Sequence, residues 1–201
     1  MAAPLQRILD WVRGRPATPT DPVAAREPRV RRILLTGAAG GVAGLIRPAL
    51  AERYEAVRLT DRVPVANLAE NEEFVQAALE DSEDVDAAVS GMDGIVHLGA
   101  CTDTTELDVA YLTRINLEYT QTLWKHATAH RIPFVYASSA AVYGDGALGY
   151  DDADDLTPKF HPLNPYGDSK LQFDVEALGE ERAERTPPAW SGFRFFNVYG
   201  P

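Results

Sequence analysis

The chain has 201 residues, 45% of them apolar, with a net charge of -11 and a single cysteine. Such a length and apolar content suffice for one medium-sized domain with a full core. The acidic balance argues against a general nucleic-acid or anionic-membrane binder, no apolar run is long enough to span a bilayer, and the lone Cys101 excludes an internal disulfide framework and fits a reducing, cytoplasmic setting.

Residues 1–31 read as a mobile extension. Leu5, Ile8, Leu9 and Val12 make an apolar stripe for a short helix, and Pro16, Pro19, Pro22 and Pro28 follow among arginines. No long apolar core with a small-residue cleavage site marks a secretory signal. From Arg32 the pattern becomes strand–helix alternation. Ile33–Leu35 is the first predicted strand and runs into the turn Gly37-Ala38-Ala39-Gly40-Gly41-Val42-Ala43-Gly44. A helix over 42–53 follows, with Pro48 expected to kink or restart it. Strands are predicted over 56–59 and 74–76, a helix over 83–89 and a fourth strand over 94–98. A long helix over 107–130, a strand over 132–138, a helix over 166–185 and a sixth strand over 192–196 complete the series. Alternation of this kind predicts an α/β fold, a doubly wound parallel sheet over 32–201 covered on both faces, with ligands at the carboxyl ends of its strands.

The chemistry-bearing residues fall at those strand ends. In the glycine turn, Gly37 permits a tight turn, Gly40 lets a pyrophosphate approach the backbone, and the helix start supplies N–H groups and positive potential. Asp61 ends the second strand. A carboxylate there accepts hydrogen bonds from ribose hydroxyls and repels a 2′-phosphate, which favours NAD, while Arg62 beside it suits that phosphate and keeps NADP as the alternative. Tyr166 and Lys170 lie four apart, on one face of a helix. An ammonium next to a phenol stabilises the phenolate and lowers its pKa, which equips the tyrosine for acid/base work. Ser138-Ser139 ends the fifth strand. His97, at the end of a buried strand, reads as a satisfied core histidine, and Cys101 as a small packed residue near a cleft. No His, Cys or carboxylate cluster has metal-ligand spacing, so no metal site is predicted.

Taken together, these residues resemble the extended short-chain dehydrogenase/reductase (NAD-dependent epimerase/dehydratase) family, over residues 32 to 201. The segments 99–106, 136–144 (Tyr-Ala-Ser-Ser-Ala-Ala-Val-Tyr-Gly), 162–167 (Pro-Leu-Asn-Pro-Tyr-Gly) and 195–201 (Phe-Phe-Asn-Val-Tyr-Gly-Pro) are similar to ADP-glycero-manno-heptose 6-epimerases. Thr36–Gly41 and Gly94–Gly99 are more similar to uronate dehydrogenases, so a mosaic is one reading of the chain. The resemblance implies a Rossmann-like NAD(P)-binding domain with catalytic Ser139, Tyr166 and Lys170. It implies cofactor contacts at Gly37, Gly40, Gly41, Val42, Asp61, Arg62, Leu79, Leu98, Gly99, Ala100, Asn116, Tyr166, Lys170 and Phe196. Substrate contacts are implied at Thr104, Thr105, Ser139 and Asn197; the threonines also suit a plain loop, and Asn116 a plain helix interface. The implied activity is nucleotide-sugar epimerisation by transient oxidation and re-reduction, with a uronate-type dehydrogenase as the alternative. The implied assembly is a homo-oligomer paired through the helices at 107–130 and 166–185.

The sequence departs from the family's pattern at two places. Ala78 stands where family members carry an Asp for the adenine amino group. The chain also ends at Pro201, before the second base and most of the substrate domain of the heptose epimerases, so it resembles a carboxyl-terminal truncation. A third expectation follows, that of a cofactor-binding fragment without turnover.

Overall fold

Ile33, Leu34 and Leu35 are fully buried, yet they serve two different cores. Consecutive side chains of a strand point to opposite faces, so a continuous apolar run belongs to a sheet covered on both sides. The computed structural model describes residues 30–77 and 82–198, the side chains of 82 and 83 excepted, and it shows that sheet. The sequence expectations at residues 1–29, Ala78, Leu79 and 199–201 lie outside the described residues. Of the expected extension, Val30 packs against the core and the Arg31 carbonyl accepts from the Glu55 N–H at 2.8 Å.

The sheet comprises β1 (Arg32–Thr36), β2 (Ala56–Asp61), β3 (Glu72–Gln76), β4 (Gly94–His97), β5 (Phe134–Ser139) and β6 (Trp190–Phe195). All neighbours pair in parallel, in the order β3-β2-β1-β4-β5-β6. This is the doubly wound, Rossmann-like order. The chain leaves β1 toward β2 on one side and enters β4 on the other, which opens a crevice at the carboxyl ends of β1 and β4.

Helix α1 (Gly41–Arg53) covers one face through Ala43, Ile46 and Leu50, against Ile33, Leu35, Val57, Leu59 and Val96. The other face carries α2 (Ser82–Val89), α4 (Tyr119–Ala129) and α5 (Pro165–Arg182). There Leu34, Ile95, Phe134 and Tyr136 pack on Val85, Leu123, Trp124 and Phe173. Each such buried aliphatic or aromatic side chain contributes about 1.5–3 kcal/mol.

Two helices differ from expectation. Pro48 does not restart α1, which runs through from Gly41 to Arg53. Pro48 lies on the exposed face, so the Gly44 carbonyl that loses its N–H partner turns toward water. The long helix is not uniform: α3 (Val109–Leu112) passes into a π-helical segment, Thr113–Glu118, before α4. It starts later than expected because the Asp108 carboxylate caps it, accepting from the Tyr111 N–H at 2.9 Å.

The residues expected to pair helices between subunits are largely used inside the domain. Leu112, Leu123 and Phe173 are buried in it, Leu171 packs against the small cluster of Val142, Tyr143 and Phe160, and Ile115 faces the crevice. Among the described residues no helix is long and apolar enough to cross a membrane, and no group of three or more His, Cys, Asp or Glu is placed to hold a metal ion.

Candidate active site

The turn after β1 is built by close backbone contact. Gly37 has φ +68°, and a Cβ there would lie 2.6 Å from the Gly99 nitrogen and 2.7 Å from its Cα. A side chain is excluded both by the left-handed backbone and by the β4 exit loop. Thr36 locks the same junction, because its hydroxyl accepts from the Gly99 N–H at 3.1 Å and lies 2.7 Å from His97 Nδ1. Beyond the turn, Gly40 caps α1 without a side-chain hydrogen bond, and no atom lies within 4 Å of a Cβ built at Gly41. The first turn of α1 contains no acidic residue, so its positive end opens into free space.

Asp61 closes the crevice on the β2 side. Its carboxylate accepts from the Ala39 N–H at 3.1 Å and from the Val63 N–H at 3.0 Å, tying the glycine turn to the end of β2. Gly37, Gly40, Asp61, Arg62, Leu98, Gly99 and Ala100 line one cavity there, with Thr102, Ile115 and Tyr119. The last three were not foreseen. Ile115 and Tyr119 are one turn apart beside Asn116, a spacing that the sequence displays. Val42, in the first turn of α1, is half-buried.

His97 is a core residue, as its sequence context suggests. The Asn116 carbonyl can only accept, so the Thr120 hydroxyl donates to it at 2.7 Å. Thr120 must then accept from His97 Nε2–H, 2.9 Å away, which leaves Nδ1 bare to accept from Thr36. Burial holds this imidazole well below its ordinary pKa, and the Lys170 charge adds to the effect.

Ser139, Tyr166 and Lys170 come together at the carboxyl end of β5. Ser139 ends that strand and caps a short 3₁₀ turn, Ala140–Tyr143, its oxygen accepting from the Ala141 N–H at 3.1 Å. Asn164 caps α5 by accepting from the Gly167 N–H at 2.7 Å, and Pro165 takes the first helical position. A Cβ at Gly167 would meet Pro162 Cβ at 2.8 Å and the Ala141 carbonyl oxygen at 2.9 Å. The absence of a side chain at Gly167 thus lets α5 sit on the turn after Ser139, which brings the Tyr166 phenol near enough for the Ser139 hydroxyl to lower its pKa.

The charge state of the pair differs from expectation. Burial raises the Tyr166 phenol above its ordinary pKa, and the Ser139 hydrogen bond pulls it back. The expected lowering by Lys170 is not seen. Lys170 is itself buried, its Nζ donates to the Ala137 carbonyl at 3.1 Å, and burial lowers its pKa to about 8, with Asp174 and Cys101 acting against the shift. With water excluded, the charged form of each group is penalised. At rest Tyr166 is therefore a proton donor, and the pKa of Lys170 is lowered to about 8.

Asn116 is buried in the π-helical segment. It accepts from the Cys101 N–H at 2.8 Å and donates to the Cys101 carbonyl at 3.1 Å and to Ser169 at 3.0 Å. Ser169 in turn donates to the Tyr166 carbonyl at 2.7 Å. Asn116 thus joins the β4 exit loop to α5, its amide engaged by protein groups. That loop links the two parts of the site: Leu98–Ala100 and Thr102 line the cavity, while Cys101 is electrostatically coupled to Tyr166 and Lys170.

The remaining candidates lie farther out. Thr104 and Thr105 are exposed, and both the N–H and the hydroxyl of Thr105 bond the Asp103 carboxylate within the loop. The exposed Phe196 stacks on Tyr143 with ring centroids 6.0 Å apart, and Asn197 follows it, also exposed.

Known proteins share this fold. The sequence profile of the NAD dependent epimerase/dehydratase family matches residues 33–201. The ADP-L-glycero-D-manno-heptose-6-epimerase of Fusobacterium nucleatum is 45% identical over 114 residues, 55% of this chain and 33% of that protein. The structure of the Helicobacter pylori enzyme of that name superposes with a TM-score of 0.69 at 27% identity, covering 86% of this chain and 57% of the other. A mutant uronate dehydrogenase from Agrobacterium tumefaciens, complexed with NAD, superposes with a TM-score of 0.65 at 30% identity, covering 78% and 58%. The chain thus spans about a third of the first relative and somewhat over half of the two structures. A doubly wound sheet, a glycine turn facing a β2 carboxylate, a Ser-Tyr-Lys cluster at β5 and a profile match across 33–201 lead to one assignment: the chain belongs to the NAD dependent epimerase/dehydratase family.

Proposed function

We propose that this chain binds NAD and carries the proton-transfer machinery of a nucleotide-sugar epimerase of the ADP-glycero-manno-heptose 6-epimerase type. The observation that carries this reading is the gathering of Ser139, Tyr166 and Lys170 at the end of β5 with Cys101, whose chain neighbours Ala100 and Thr102 line the cavity walled by the glycine turn and Asp61. The residues fit a dinucleotide. Gly41 leaves open space over the helix start for a pyrophosphate, Asp61 stands where ribose hydroxyls need acceptors, and the exit loop leads from the cavity to Cys101 beside Tyr166. When bound, NAD supplies a reversible hydride acceptor. Ser139 holds the reacting oxygen of the sugar. Tyr166, resting as a phenol, must first release its own proton; the Lys170 ammonium favours the phenolate so formed, which takes the sugar hydroxyl proton and, as a phenol again, later returns it. Two features support the choice of NAD over NADP: the half-buried Asp61 carboxylate repels a 2′-phosphate, and the similar uronate dehydrogenase is an NAD complex.

The test uses the gene product as expressed, with NAD and ADP-glycero-manno-heptose deuterated at C6. Inversion at C6 with the deuterium kept and no net NADH supports the reading; loss of deuterium to solvent overturns it. A second reading, a uronate-type dehydrogenase, is favoured by the 30% identical uronate dehydrogenase structure. NADH accumulating with a hexuronate selects it.

A further inference from the structure

The buried, triply bonded carboxylate of Asp174 has no part in the mechanism above. Asp174 is 4% exposed and lies on α5 one turn after Lys170 and two turns after Tyr166, on the same face. One of its oxygens accepts from the Tyr136 hydroxyl at 2.9 Å. The other accepts from the Ser138 hydroxyl at 2.9 Å and from Arg194 Nε at 3.0 Å. Three donors from β5 and β6 thus converge on a group on α5. Arg194 extends the network by donating to Thr157 at 2.7 Å, and its guanidinium lies 5.2 Å over the Tyr143 ring and 5.3 Å over the Phe160 ring.

We propose that Asp174 is a positioning residue of the Ser139–Tyr166–Lys170 site, held by Arg194, Tyr136 and Ser138 so that its charge keeps Lys170 an ammonium in register with the Ala137 carbonyl. The network surrounds that carbonyl, because Tyr136 and Ser138 flank Ala137 and Ser139 is the next residue. A carboxylate serving only to join α5 to the sheet could lie anywhere along the helix; this one lies a single turn from the buried ammonium. Burial pushes the Asp174 carboxyl up, and Arg194, Ser138 and Tyr136 oppose that push. The groups that act on or feel Lys170 are Asp174 from α5, Cys101 from the β4 exit loop and His97 from β4; Tyr166 lies one turn before it on α5, and Tyr136 and Arg194 reach it through Asp174. His97 is neutral, so Asp174 is the fixed negative charge in the set.

The proposal rests on the reading of this cluster as the proton-transfer site, but its test needs no turnover. Lys125, Lys159 and Lys170 are the chain's lysines, so lysine labelled with ¹³C at Cε gives three resolvable signals. In the unmodified chain the expected midpoint of the Lys170 signal lies near pH 8. Asp174→Asn lowers that midpoint by about one pH unit or more, because an opposite charge close by is removed. Asp174→Glu restores it, and Lys125 and Lys159 do not move. If Asp174→Asn loses its folded spectrum, Asp174→Asn/Arg194→Gln removes both members of that ion pair and leaves Lys170 without its counter-charge, with a smaller lowering expected because the repulsion by Arg194 goes as well. An unchanged Lys170 midpoint in either folded variant overturns the proposal. Failure of the unmodified chain to bind NAD, measured separately, overturns the underlying reading of the site instead.

Discussion

Three glycines within eight residues respond differently to the same substitution. At Gly37, alanine must hold φ +68°, which costs about 1–2 kcal/mol. Its Cβ also lands 2.6 Å from the Gly99 nitrogen, and relieving such overpacking costs about 1–3 kcal/mol. Because the clash is with backbone and not with the end of a flexible side chain, β4's exit must move, and a net loss of about 3 kcal/mol is expected. Gly44 lies on the exposed face of α1 with no atom within 4 Å of a built Cβ, so Gly44→Ala gains about 0.8–1 kcal/mol of helix propensity. Gly41→Ala is likewise open and leaves stability unchanged or slightly raised, but its methyl enters the space assigned to the pyrophosphate and weakens NAD binding about tenfold or more. Urea unfolding followed by circular dichroism reads the stabilities. With a slope of about 2 kcal/mol per molar urea, Gly37→Ala lowers the midpoint by about 1.5 M and Gly44→Ala raises it by less than about 0.5 M. Calorimetric titration with NAD reads the third variant. Equal midpoints for Gly37→Ala and Gly44→Ala would refute the backbone-contact argument.

Other perturbations separate the remaining roles. Asp61→Ala narrows or reverses the preference for NAD over NADP in calorimetry and costs about 1–2 kcal/mol of stability, since it strips acceptors from the Ala39 and Val63 N–H groups. Lys170 predicts a pH dependence. Its folded pKa, about 8, lies below the unfolded 10.5, so the unfolded chain binds the extra proton between those values. The group's contribution to stability is fully present above pH 10.5 and is lost as pH falls through 8. Relative to Lys170→Met, the unmodified chain gains up to about 3 kcal/mol between pH 7 and pH 10.5, readable as a difference of urea midpoints. Tyr166→Phe abolishes turnover of the gene product while leaving NAD affinity within about threefold, checked by calorimetry alongside product analysis.

Much of this architecture is legible in the sequence, because buried parallel strands and punctuating glycines leave local marks. The apolar run Ile33–Leu35 and the turn from Gly37 place the crevice, and the four-residue offset of Tyr166 and Lys170 places both on one helix face. The π-helical segment at Thr113–Glu118 leaves no such mark. It brings Asn116 onto Cys101 and Ser169, contacts made across 15 and 53 residues of chain that no local spacing displays. The charge states were misjudged for a related reason. Proximity of an ammonium and a phenol can be inferred from spacing, but the burial that raises one pKa and lowers the other depends on how β5, α5 and the β4 exit loop close over them. Asp174 also lay in view, four residues beyond Lys170. Its partner Arg194 is 20 residues away on β6, so the pair emerges only from the fold.

Every role assigned above follows from the crevice at β1 and β4 being a dinucleotide site. Calorimetric titration of the chain with NAD and, in parallel, with NADP tests that directly. The expected result is one NAD bound per chain, more tightly than NADP, with the affinity falling in Gly41→Ala while the fold is unchanged. Absence of binding by either dinucleotide, or equal NAD affinity in Gly41→Ala, would contradict it.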